Sequence, residues 1–280
     1  MQAAIRFLRS NSGSKLRHFP VELRSMIEIR RSWRKWAVLL ILTGACSRPA
    51  SAQKQMNIQP VNTSCSDVSS EIVAVGVARE IALDAQHPNP AWEKAAPVTF
   101  CADWQGKNAD AERQTSVNAL WSTSTLYLRF ECRYRGIYVF DDSEPSGRRY
   151  QLWDRDVAEA FLQPDPSQLH SYKEFEVAPN GMWVDLDIVA RKDTDLISGL
   201  QRSVWRDEGH KTWVAELAIP IESLTAKFDP AAVWRLNFFR VEGPEPERFY
   251  SAWQATKTPE ANFHVPEVFG RLRFQPAKTL

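Results

Sequence analysis

Few side chains in this sequence are arranged to make or break a bond. Asp185 and Asp187 lie in a strand-like segment, Trp183 to Val189, and residues two apart on a strand point to one side. Hydrolysis of a glycosidic bond needs two carboxyl groups flanking it from opposite sides, so this pair suits solvent better than acid–base work. His87, His170, His210 and His264 follow residue 52, and no sequence context pairs any of them with a serine or cysteine nucleophile. Catalysis is therefore not the expected chemistry. Glu159 stands out, because in Val157 to Leu162 it shares a side with Val157 and Phe161 and so is a carboxylate set among apolar neighbours. Tryptophan is the compositional outlier, with eleven copies in 280 residues.

The elements that would position these groups read as short strands. Segments with period two include Ser116 to Trp121, Thr125 to Cys132, Val157 to Leu162, Glu174 to Val177 and Trp183 to Val189. Thr212 to Ile219, Trp234 to Val241, Phe249 to Trp253 and Val268 to Phe274 follow, separated by turn signals such as Pro179-Asn180-Gly181 and Glu208-Gly209. Only Ile221 to Ala226, entered through Pro220, reads as a short helix. The rhythm predicts an all-β antiparallel sandwich or barrel over residues 80–276. Residues 53–79 are polar and without clear period, which predicts a linker or N-terminal arm.

Residues 1–52 have the layout of an export signal: Arg30-Arg31-Ser32-Trp33-Arg34-Lys35, an apolar run from Trp36 to Leu42, and the small triplet Ala50-Ser51-Ala52. Cleavage after Ala52 and a secreted or periplasmic product are expected. The alternative is a lipoprotein box ending at Cys46, which would anchor the product to a membrane. Ten of the 35 basic but only two of the 34 acidic residues precede Gln53, leaving a net charge of −7 in the remainder. An acidic body argues against nucleic acid and anionic membrane surfaces as partners. Of the remaining cysteines, Cys65, Cys101 and Cys132, the last two lie in strand-like segments and could form a disulfide, with three free buried thiols as the alternative. Their spacing fits no metal-ligand pattern.

Eight segments, in order, resemble the family 9 carbohydrate-binding modules. They are Leu83-Asp84 with Asn89 to Ala95; Val117 to Trp121 with Leu126 to Leu128; Leu152 to Leu162; Phe175 to Gly181 with Asp185; Trp213 to Pro220 with Leu224; Trp234 to Arg240; Tyr250 to Trp253; and Phe263 to Leu272. The resemblance implies a sandwich of two antiparallel sheets of jelly-roll type. It also implies sugar binding on one face and non-catalytic service in polysaccharide breakdown, with a glucan or xylan-type glycan as partner. Trp153 and Trp253 are similar to the family's stacking aromatics, and Glu159 and Arg240 to its hydroxyl-binding groups. That combination suits a pyranose, which offers apolar C–H faces and a fringe of hydroxyls. The two indoles are expected to face each other across one slot. Core filling is the alternative for either, and an ion pair with Glu216 or Glu159 is the alternative for Arg240. Trp92, Trp121, Trp213 and Trp234 match framework positions. Structural calcium also occurs in the family, and Asp141, Asp142, Asp154 and Asp156 are the candidate oxygen donors, although none has EF-hand spacing. Two other classes compete. One is a structural or partner-binding sandwich without a sugar site; the other is a haem carrier, for which only Met56 and Met182 remain as methionine ligands after residue 52.

Overall fold

A computed structural model of the chain describes residues 69–141 and 147–277. The expected leader with Cys46 and Ala52, most of the arm with Cys65, and Asp142 lie outside the described residues.

The fold is nearly all β. Its strands are β1 (Glu71–Gly76), β2 (Val98–Phe100), β3 (Thr115–Trp121), β4 (Thr125–Arg133), β5 (Val157–Gln163), β6 (Ser171–Val177) and β7 (Trp183–Val189). The remainder are β8 (Lys192–Asp195), β9 (Gln201–Asp207), β10 (Thr212–Pro220), β11 (Trp234–Glu242), β12 (Phe249–Ala252) and β13 (Gly270–Gln275). Nine of these match the segments with period two. The expected helix after Pro220 shrinks to a single 3-10 turn, Ile221–Ser223, closed by Leu224 N–H donating to the Ile221 carbonyl at 2.9 Å.

Of the expected antiparallel two-sheet sandwich the β class is present, while the 13 strands join in one hydrogen-bonded mixed sheet. Its path runs β8-β7-β6-β5-β11-β13-β1-β3-β4-β10-β9, with β12 added on β11 and β2 on β3. The sheet curls, so that Phe130 of β4 meets Phe238 of β11 edge-on at 5.7 Å although four steps of pairing separate the two strands. The seam is β1, which runs parallel to both β13 and β3. Glu71–Gly76 was expected in the arm and instead lies mid-sheet. The reason is local: Glu-Ile-Val-Ala-Val-Gly is a near-continuous apolar run with no polar alternation to detect, although in the fold it is Ile72 and Ala74 that are buried while Val73 and Val75 are half-buried.

The curled sheet has an inner and an outer face. Inside, Ala158, Ala160 and Leu162 of β5 pack with Phe175, Trp213, Trp234, Phe238 and Trp253. Outside, Val157 and Phe161 of the same strand join Tyr172, Val184, Leu186, Phe239 and Phe263 in a second cluster. Trp92, Trp121, Trp213 and Trp234 are all buried.

The expected Cys101–Cys132 bridge is also corrected: Cys101 is disulfide-bonded, while Cys132 is a free buried thiol. Cys101 follows β2, and Cys132 on β4 is paired with Thr115 of the intervening β3. Two strand spacings, roughly 10 Å, exceed the reach of a disulfide, whose Cα atoms are about 4.4–6.8 Å apart. Burial pushes the Cys132 thiol up to about 11, so it stays protonated.

Since β1 pairs on both sides, a chain starting at Glu80 exposes the edges of β3 and β13 and is expected to lose its cooperative thermal unfolding. A chain starting at Gln53 should retain it; equal melting curves for the two would contradict the seam.

Candidate functional site

The outer face of β5, β6, β7 and β11 forms the floor of a cleft of about 640 Å³. Strand parity decides what lies there. In β5 it presents Val157, Glu159 and Phe161, and in β11 Phe239 and Val241. In β6, Glu174 and Glu176 alternate with the inward Phe175 and Val177. Glu176 is the direct cross-strand partner of Glu159, and Glu174 the partner of Phe161.

The walls come from elsewhere in sequence. On one side Tyr150 and Trp153 meet edge-on at 5.2 Å, Trp153 riding on the 3-10 turn Leu152–Asp154. Arg248 holds that turn, its guanidinium donating to the Trp153 carbonyl and, at 3.1 Å, to the Asp154 carbonyl while lying over the Tyr250 ring. On the other side the connection from β12 to β13 folds over the floor. Phe263 stacks on Phe239 at 4.2 Å, and His264 lies over Phe161 with its Nδ1 2.8 Å from the Tyr172 hydroxyl. Phe263 and His264 thereby become part of the cleft, along with Asn262.

Electrostatically the floor is unusual. Ligand oxygens of Glu159, Glu174 and Glu176 all lie within 4.8 Å of one another, and all three residues are buried. Both carboxylate oxygens of Glu176 and Oε2 of Glu174 lack a hydrogen-bond partner. Burial raises all three carboxyls above the ordinary glutamate range. The charge of Glu174 adds to the rise at Glu159, and the charges of Glu159 and Glu174 add to it at Glu176.

The four expected binding residues divide between the two faces. Trp153 and Glu159 line the cleft. Arg240 and Trp253 do not, because the residue opposite Glu159 on β11 is Phe239, which sends Arg240 inward. There Arg240 is fully buried, donates to the Arg133 carbonyl at 3.1 Å and to Glu242 Oε2 at 3.2 Å, and sits over Trp213. Its partner is thus Glu242, not Glu216 or Glu159; Glu216 instead binds Arg129 at 2.5 Å. Trp253 is 6% exposed, packs on Phe238, and leaves no room for a Cβ at Gly270. The two indoles therefore do not share a slot; they occupy opposite faces of the sheet.

Of the four candidate calcium donors, three fall among the described residues. Asp156 is buried and uses Oδ2 and Oδ1 to accept from the Tyr138 and Gly243 N–H groups at 3.0 and 2.6 Å, fastening two loops. Asp141 and Asp154 are exposed, and among the described residues neither belongs to a set of three possible ligands within reach of one ion. Asp185 accepts from Arg148 and the Ser198 N–H on the inner side of β7, and Asp187 pairs with Lys173. Neither aspartate enters the cleft.

Residues 83–276 match the family model described as carbohydrate family 9 binding domain-like. A protein of Arthroderma benhamiae named "Extracellular protein" is 25% identical over 178 residues, covering 58% of this chain and 78% of that one. Among solved structures, a putative carbohydrate-binding protein from Bacteroides uniformis superposes with a TM-score of 0.59 at 14% identity, covering 73% of this chain and 99% of that one. A family 9 carbohydrate-binding module from Caldicellulosiruptor kristjanssonii, solved with cellotriose, gives a TM-score of 0.54 at 12% identity, covering 75% of this chain and 95% of that one.

The division of the tryptophans predicts opposite thermal behaviour. Trp253→Ala should cost about 3–5 kcal/mol of stability, as large-to-small changes in a packed core do, whereas Trp153→Ala should melt close to the wild type. A sharply destabilised Trp153→Ala with a native-like Trp253→Ala would reverse the assignment.

Proposed function

Because the chain belongs to the carbohydrate family 9 binding domain-like family, we propose that it binds carbohydrate in the outer-face cleft without hydrolysing it, one sugar ring stacking on Trp153. The observation that carries this reading is the chemistry of the cleft: partly exposed aromatic walls at Tyr150, Trp153 and Tyr250 around a floor holding the carboxyls of Glu159 and Glu174. The apolar C–H face of a pyranose rests on an aromatic ring, and its hydroxyls need acceptors at the edge. Asp154 and Asn262 at the rim add exposed polar groups suited to hydroxyls.

Glucose units are the favoured ligand. The structural neighbours that support this are the Caldicellulosiruptor kristjanssonii modules solved with cellotriose and with glucose, and xylan-type chains are the next class to try. The export layout of residues 1–52 places this activity outside the cytoplasm in our reading, after cleavage at Ala52.

Calorimetric titration of residues 53–280 with glucose, cellotriose and xylotriose tests the proposal. At least one should bind, and Trp153→Ala should weaken it tenfold or more, since truncating a central tryptophan costs about 2 kcal/mol or more and tenfold is about 1.4 kcal/mol. Failure of all glucan and xylan ligands to bind, or full affinity in Trp153→Ala, would contradict it.

A further inference from the structure

Three acidic side chains crowd one apolar face without an ion pair among the described residues. Glu159, Glu174 and Glu176 are 2%, 3% and 0% exposed. Among the described residues none of the three forms an ion pair; Glu174 and Glu176 lie side by side and influence each other, and Oε2 of Glu174 and both oxygens of Glu176 are buried without a donor. Arg248 acts on Glu159 at longer range, but its Nη1 and Nη2 donate to the backbone carbonyls of the Trp153 turn, and it forms no ion pair with any of the three. Val184, Leu186, Phe239 and Val241 make the same face largely apolar, while Arg248 and His264 act on the cluster only through their charge. An ionised carboxylate in such surroundings is costly unless paired or bound to a metal.

We propose that Glu159, Glu174 and Glu176 form a divalent-cation site of the calcium type at the floor of the cleft, with sugar hydroxyls completing the coordination. The second part rests on the carbohydrate-binding reading. Calcium takes about 6–8 oxygens at roughly 2.3–2.6 Å. Two oxygens on opposite sides of such an ion are separated by about 4.6–5.2 Å, and no pair of ligand oxygens in this cluster is more than 4.8 Å apart, so all three carboxylates can reach one ion. Three carboxylates supply at most six oxygens, all from the β5–β6 side. The opposite side is the cleft itself, which Glu159 and Glu174 both line. Coordination positions there are left for water, or for a vicinal pair of sugar hydroxyls held against Trp153. The site shares none of the four aspartates expected from sequence.

The test is calorimetric titration of calcium chloride into residues 53–280 after dialysis against chelator, first without sugar and then with cellotriose. Glu176→Gln and Glu174→Gln preserve shape and remove one charge each. The proposal expects one equivalent of calcium, a raised melting temperature, calcium affinity at least tenfold weaker in both variants, and weaker cellotriose binding in chelator. If the wild type takes up no calcium at millimolar concentration, or if both variants bind it as the wild type does, the cation site is overturned. Cellotriose bound equally well with and without chelator overturns the role of the cation in sugar binding and leaves the carbohydrate reading intact. Calcium bound without any sugar affinity would keep the cation site and refute the carbohydrate reading.

Discussion

Side chains alternate across a strand, and in β5 that alternation separates two jobs within seven residues. Ala158, Ala160 and Leu162 fill the inner core, while Val157, Glu159 and Phe161 face the cleft. Because both faces are covered, a slip of one residue would push a glutamate into the inner core and three apolar side chains into the cleft. The neighbours obey the same constraint. Pairing of Glu159 with Glu176 on one side and Phe239 on the other fixes which residues of β6 and β11 share its face. The acidic floor, the inward arginine and the two separated tryptophans all follow from this one register.

The curl of the sheet gives that register its rigidity. Parallel insertion of β1 between β13 and β3 lets the chain form a continuous sheet whose two arms close over Phe130 and Phe238. The cleft is then built on the outside of a packed scaffold. Its walls come from irregular connections, the usual place for binding residues on a β framework. Arg248, the Phe263–Phe239 stack and the contacts of His264 with Phe161 and Tyr172 bring those connections down onto the floor.

Much of this was legible in the sequence. The period of two located nine strands, and the apolar neighbours of Glu159 marked it as a residue with a special place. What could not be read was partnership. Arg240 looks like a strand-end cation, and only its pairing opposite Ala158 reveals that it points inward to Glu242. Glu174 and Glu176 alternate with Phe175 and Val177 like any half-solvated strand; burial comes from β5, β7 and the connection carrying Phe263, far away in sequence. Arg248, Asn262 and His264 lie where periodicity is weak or absent, so no local signal gathers them around one cleft. Trp253 did leave a trace, since Gly270, against which its ring packs, opens β13 where a larger residue could not fit.

The central claim is that the outer-face cleft, not the inner core, meets the ligand. Indole N–H resonances of 15N-labelled protein report on it directly, with the peaks of Trp153 and Trp253 assigned from their phenylalanine variants. Titration with cellotriose should shift or broaden the Trp153 peak and leave that of Trp253 in place. A shift confined to Trp253, with Trp153 unmoved at saturation, would contradict the account.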